Sequence, residues 1–186
     1  TIRLCAGTWM LTDTLQIDKS LTLLGAGNEQ TILDGGDAVR VLSISAGADV
    51  TLQDLQITRG YTAGNGSLDG NGGGILNDGT LALKRCRVTG NSADVHGGGI
   101  YNTIDSLMLS LEGSSVTNNT ARNVAGGIYN FLGTTTLQDS SVTENRAFNS
   151  GGINSGGTLT LIGSQVTNNT AEHVGGGIRG RVSVTL

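Results

Sequence analysis

The hexapeptide VTNNTA stands at residues 116–121 and returns unchanged at 166–171, with VTENRA at 142–147 and VTGNSA at 88–93. Each copy opens on a valine that a glycine-rich run follows: HGGGI ending at Ile100, AGGI at Ile128, SGGI at Ile153 and GGGI at Ile178. Working outward, three aliphatic marks recur. The first follows the glycines (Ile75, Ile100, Ile128, Ile153, Ile178). The second closes an alternating stretch (Leu83, Leu111, Leu137, Leu161, Leu186), and the third is the valine itself (Val88, Val116, Val142, Val166).

The spacing decides the fold. Second to third mark is always 5 residues, and third to next first is 12, 12, 11 and 12. First to second varies, at 8, 11, 9, 8 and 8. Carried backwards, the same ruler selects Ile44, Leu52 and Ile57, then Leu15, Leu23 and Ile32, with Leu4 as the third mark of a preceding turn. About six full repeats of 25 to 31 residues result. Residues around each mark alternate, as in Thr158-Leu159-Thr160-Leu161, which means strand and excludes helix. Connections this short leave no room for a crossover helix. A coil of three strands per turn resolves the conflict, each strand pairing with its equivalent about 4.8 Å along the axis. The expectation is an all-β, single-stranded parallel β-helix over residues 1–186, one solenoid domain with an excursion at 58–73 (TRGYTAGNGSLDGNGG).

On this reading the valines stack inside the coil. Asn91, Asn119, Asn145 and Asn169 then fall at the corner after the third strand, where piled amides hydrogen-bond along the axis. Ala93, Ala121, Ala147 and Ala171 need little room as the chain bends back, and the glycines serve the opposite corner by positive φ or close backbone approach. The repeated asparagine is thus architecture.

Composition agrees. Of 186 residues 37% are hydrophobic but only 3% aromatic, so aliphatic side chains build the core. Glycine numbers 31 without a G-X-Y period and proline is absent, which excludes collagen. A net charge of −4 with Lys84, Arg85 and Arg87 as the one basic run excludes a nucleic-acid face. No apolar stretch approaches the length of a spanning helix. Cys5 and Cys86 lie far apart in different repeat positions and read as small buried thiols.

Together, GGxI and V-T-x-N-x-A resemble the repeats of chlamydial polymorphic outer-membrane proteins and related bacterial β-helix surface proteins, marked by GGA[ILV] and FxxN. Gly98-Gly99-Ile100 and Gly127-Ile128 match the first motif and Val116 to Asn119 the second, with Val in place of Phe and Gly in place of Ala at 74, 99 and 177. The likeness covers 57–178. The opening, AGTWMLTDTLQIDKSLTLLGAGNEQTILDG, resembles the first turns of pectate-lyase-like β-helices. It implies a right-handed coil on an exported, autotransporter-passenger-like surface protein.

Such folds also host lyases and hydrolases, which need clustered carboxylates or acidic calcium ligands beside a base. Asp94, Arg122, Phe148 and Glu172 follow the repeat alanines, placing the two carboxylates three turns and about 14 Å apart. His96 and His173 are separated likewise. No catalytic residue is assigned. Calcium is the one cofactor raised, by the Asp/Gly turns at Asp34, Asp37 and Asp69; a single imperfect copy leaves a plain turn as the expectation.

Two outward stripes remain. Ser45, Leu76, Tyr101, Tyr129, Asn154 and Arg179 follow the first mark, with Tyr101 and Tyr129 an exposed stacked pair. Tyr101, Tyr129 and Arg179 are the candidate contacts for a host or cell-surface protein or a carbohydrate. Threonine rows (Thr58, Thr89, Thr117, Thr143, Thr167; Thr22, Thr51, Thr136, Thr160, Thr185) are similar to those of ice-binding β-helices, though threonine is ordinary on an exposed strand face. Strand pattern from Thr1 and in RVSVTL at 181–186 reads as a fragment of a longer stalk, the alternative being a subunit that self-associates end to end as a filament. The functional expectation is a non-enzymatic extracellular adhesin or stalk segment, against a polysaccharide-active enzyme whose site lies elsewhere, a filament subunit, or an ice binder.

Overall fold

The computed structural model describes residues 1–64, 68–104 and 106–180. The second-mark and threonine positions Leu186 and Thr185, the stretch 181–186, and part of the 58–73 excursion lie outside the described residues. The chain coils as a parallel β-solenoid of about six turns. Three seven-stranded sheets, each built from one strand per turn, run its length. We name them for their inward mark. The isoleucine sheet runs from Leu15–Ile17 to Ile178–Gly180, the leucine sheet from Ile2–Arg3 to Thr158–Ile162, and the valine sheet from Gly7–Met10 to Gln165–Thr167.

Every pairing is parallel, and in the three seven-stranded sheets the marks of successive turns keep register from Ile75 onward. Val88, Val116, Val142 and Val166 lie one above another, as do Leu83, Leu111, Leu137 and Leu161, and Ile75, Ile100, Ile128, Ile153 and Ile178. These marks fill a single core, and most are wholly buried. Burying one such aliphatic side chain contributes about 1.5–3 kcal/mol.

A fourth, five-stranded sheet was not expected. The hexapeptide's second half forms it: Tyr61–Thr62, Ser92–Ala93, Thr120–Val124, Arg146–Asn149 and Thr170–Val174. Ala93, Ala121, Ala147 and Ala171 pair in register and point inward, so the corner after the asparagines is itself a strand. We call it the alanine sheet.

The ruler slips in the early turns. Ile75 pairs with Leu42 rather than Ile44, which lies beside Asn77 instead. Leu42-Ser43-Ile44 offers two inward aliphatics two apart, and a period of two cannot choose between them. The hydrogen bond from Leu42 N to Gly74 O does. Accordingly Ser43, not Ser45, pairs with Leu76 on the outer stripe. Ile57 pairs with Leu33 rather than Ile32, because a one-residue slip would turn Leu33 outward. In the first turn Trp9 holds the third-mark position beside Leu33 and Ile2 the second beside Leu23, so Leu4 is not a mark. That turn leaves its apolar side chains open around a cavity of about 360 Å³ lined by Ile2, Leu4, Trp9, Leu11 and Leu15.

The glycines divide their work. In each run the residue three before the isoleucine takes positive φ (Gly97 at 62°, with Ala125 and Ser150 doing the same at 59° and 53°). The middle one allows close approach: a Cβ on Gly126 would lie 2.7 Å from the carbonyl carbon of Arg146 in the next turn.

The expectation of two buried thiols holds for one. Cys86 is buried and its thiol is pushed up to about 11 by desolvation, whereas Cys5 is exposed. The open first turn leaves Cys5 uncovered.

Candidate functional site

The asparagine column is internal, as its spacing predicts. Oδ1 of Asn119 accepts from both the backbone N and Nδ2 of Asn91, each at 3.0 Å, and its Nδ2 donates to Asn145 Oδ1 and Val88 O, also at 3.0 Å. Asn145 and Asn169 repeat the pattern one turn on at 2.8–2.9 Å. Each buried amide thereby spends its acceptor and both N–H donors.

Two further columns escaped the sequence reading. Asn77, Asn102 and Asn130, two residues after the first mark, chain Nδ2 to Oδ1 at 2.7 and 3.0 Å and end on Ser155 Oγ. Ser114, Ser140 and Ser164 accept the backbone N–H of Cys86, Ser114 and Ser140 at 3.0–3.1 Å. The signal was present in ILN, IYN, IYN, INS. The asparagine and serine columns are therefore hydrogen-bonded from within, which leaves ligand contacts to the outer faces.

On the isoleucine sheet Tyr101 and Tyr129 are adjacent, as expected, with centroids 5.0 Å apart and planes 11° apart. The expected exposure is corrected: Tyr101 is only 7% exposed and Tyr129 half-buried. His96 covers them from the preceding corner, 4.9 Å from Tyr129, and Phe131 extends the row at 6.3 Å. Burial raises both tyrosine hydroxyls, with Arg179 partly opposing it at Tyr129, and burial lowers His96. Arg179 itself is exposed and pairs in register with Asn154, two turns above Tyr129. What is exposed lies beside the row. Ile104 (59%), Leu107 (75%) and Leu132 (54%), with Phe131 and Met108, crown two stacked corner loops joined by Phe131 N to Asn102 O and Thr134 N to Leu107 O.

The alanine sheet bears a groove of about 470 Å³ lined by Asp94, Thr120, Arg122, Arg146, Phe148 and Glu172 among others. Asp94 and Glu172 do not meet. Arg122 Nη2 reaches Asp94 Oδ1 at 3.3 Å, and Arg146 Nη2 reaches Glu172 Oε1 at 2.9 Å. His173 stacks on Phe148 with centroids 5.5 Å apart and planes 1° apart.

Elsewhere acids meet bases. Arg59 takes Asp34 at 3.3 Å and Asp37 at 3.0 Å, two of the carboxylates that had suggested calcium. Among the described residues no group of three or more His, Cys, Asp or Glu side chains could gather a metal. Arg85 and Lys84 meet Asp54 and Glu112 as their register requires, and Arg85 holds the Asp54 carboxyl below its usual range. The threonines after the third mark form one row in register from Thr58 to Thr167, whereas Ala82 and Ser110 interrupt the row through Thr51 and Thr136.

The excursion after Thr58 is clamped by Arg40, whose guanidinium donates to the carbonyls of Asp69, Asn71 and Gly72 at 3.0–3.3 Å. Desolvation lowers its pKa, though arginine stays charged. Arg40→Met should raise the rate of limited proteolysis within 61–72 about tenfold by freeing these carbonyls, with the urea midpoint of the rod little moved.

Compared with protein-family models, with curated proteins and with solved structures, the chain matches none.

Proposed function

We propose that this solenoid is a non-enzymatic segment of an exported cell-surface protein, adhesin- or stalk-like, which makes its contacts through outward side chains. One observation carries the reading: the corner formed by Ile104, Leu107, Met108, Phe131 and Leu132 stands exposed on a rod whose asparagine and serine columns are hydrogen-bonded internally. Apolar side chains clustered on the outside of a soluble scaffold mark a contact surface. The stacked His96, Tyr101 and Tyr129 make a stiff floor beneath it. The likeness to polymorphic outer-membrane repeats supports the same reading, including a cell-surface protein or carbohydrate as partner, though fold by itself implies no function.

Beads coated with the protein should attach to epithelial cell monolayers, and Leu132→Asp should reduce the attached number about tenfold by placing a charge in the desolvated contact. Equal attachment by the variant would count against the corner. A panel of acidic polysaccharides incubated with the chain should show no unsaturated or new reducing ends; turnover would sink the non-enzymatic reading in favour of a polysaccharide-active enzyme. Sedimentation as a clean monomer would remove the filament alternative.

A further inference from the structure

We infer that the groove on the alanine sheet is a binding site for a neutral saccharide, lying across the turns that carry Arg122, Phe148 and Glu172. The inference rests on the proposed binding role but concerns a different face from the apolar corner.

Its shape begins with the repeat arithmetic. The step from Val142 to Ile153 is 11 residues, where the turns on either side take 12. The missing residue falls in the alanine sheet: Ala121 and Val124 enclose two residues, while Ala147 and Asn149 enclose only Phe148, and the pairing register shifts there on both sides. Phe148 thus occupies a shortened row between two fuller ones, and the groove of about 470 Å³ lies over it. That volume is in the range of small-molecule sites, about 300–1,000 Å³.

The chemistry selects the ligand. Phe148 is 45% exposed and lies flat on His173, which is itself fixed by a 3.2 Å contact between its Nδ1 and Asn149 Oδ1. A planar apolar surface held this way suits the C–H face of a pyranose ring. Around it stand two guanidinium–carboxylate pairs, Arg122 with Asp94 and Arg146 with Glu172, each joined through a single guanidinium nitrogen. A guanidinium has five N–H donors and a carboxylate about four acceptor sites, so each pair presents donors and acceptors side by side, as neighbouring hydroxyls require. The two positive charges are balanced by the two negative ones, so the lining carries no net charge to favour an anion. Asp94 is also anchored by Tyr61 Oη and Gly64 N, both at 3.4 Å, which holds one rim of the groove in place. An uncharged ring, apolar on one face and edged with hydroxyls, meets every one of these features. A polyuronate would have to break an existing ion pair.

The test is titration of the intact chain, by calorimetry and by amide NMR, with neutral gluco-, manno-, xylo- and N-acetylglucosamine oligosaccharides and with oligogalacturonate. Saturable binding of at least one neutral oligosaccharide is expected, with shifts at residues 92–94, 120–122 and 146–148. Phe148→Ala and Arg146→Gln should each weaken it about tenfold while leaving the thermal midpoint near wild type. Absence of binding by every neutral oligosaccharide, preference for oligogalacturonate, or wild-type affinity in Phe148→Ala would each overturn the proposal. Leu132→Asp keeps the two readings apart: it should cut bead attachment about tenfold and leave saccharide binding unchanged. Failure of the wild type to attach, or equal attachment by Leu132→Asp, would therefore refute the adhesive corner without touching the groove.

Discussion

Asn119→Ala should lower the stability of the solenoid by about 3–5 kcal/mol. The side chain takes part in four hydrogen bonds, and removing it strips the acceptor from the backbone N–H of Asn91 and the donor from the carbonyl of Val88. Asn119 is wholly buried, so no bulk water replaces either. A buried polar group left unpaired costs about 1–3 kcal/mol, and more than one is left here. Its neighbour supplies the control. Asn118 is exposed and sits at a φ of 55°, a conformation glycine adopts without strain, so Asn118→Gly should change stability by at most about 0.5 kcal/mol. Urea unfolding of both variants decides the matter. Equal midpoints would mean that the amide column is decorative. Because each turn touches only its neighbours, amide exchange should speed up most in the turns on either side of residue 119.

Gly126→Ala should be nearly as damaging, at about 2–3 kcal/mol, from one methyl group. The added carbon would sit 2.7 Å from the carbonyl carbon of Arg146 and closer still to its oxygen. Both belong to the backbone of the next turn, which cannot rotate away as a side chain would. The strand Arg146–Asn149 must then move off its partner Thr120–Val124, and the groove should deform with it. The comparison is Gly177→Ala in the glycine run before Ile178, where the new carbon would meet no heavy atom within 4 Å and the backbone φ is not positive. A smaller loss of thermal midpoint is expected there. If Gly126→Ala proved the milder of the two, close backbone approach would not be the reason for the paired glycines.

The glycine just before the isoleucine also packs against the asparagine column. A Cβ on Gly99 would lie 3.0 Å from Asn119 Nδ2, and one on Gly127 the same distance from Asn145 Nδ2. The glycine run and the VTxNxA hexapeptide that follows it are therefore two sides of one interior joint.

Most of the fold was legible because a solenoid converts sequence spacing directly into contact. Residues one repeat apart must meet, so Val116 over Val142 and Asn119 over Asn145 could be read before any coordinates. The reading failed where spacing was ambiguous: at Leu42 and Ile44, two residues apart and both inward, and at Ile32 and Leu33, adjacent and on opposite faces. It also treated the corner after the asparagines as a bend, because Ser92–Ala93 is too short to show alternation. The candidate sites fared less well. Stacking of Tyr101 on Tyr129 follows from register, but the burial of Tyr101 beneath His96 does not, since His96 reaches it from another corner.

By itself the sequence determined the stacking axis, the turn length and the side chains that face inward, since equal spacing in a parallel coil leaves no other partner within reach. The tertiary structure alone decided which charges pair across the alanine sheet and where the surface hollows. Those depend on how one missing residue between Ala147 and Asn149 is absorbed by the turns above and below, a three-dimensional adjustment that no linear spacing records.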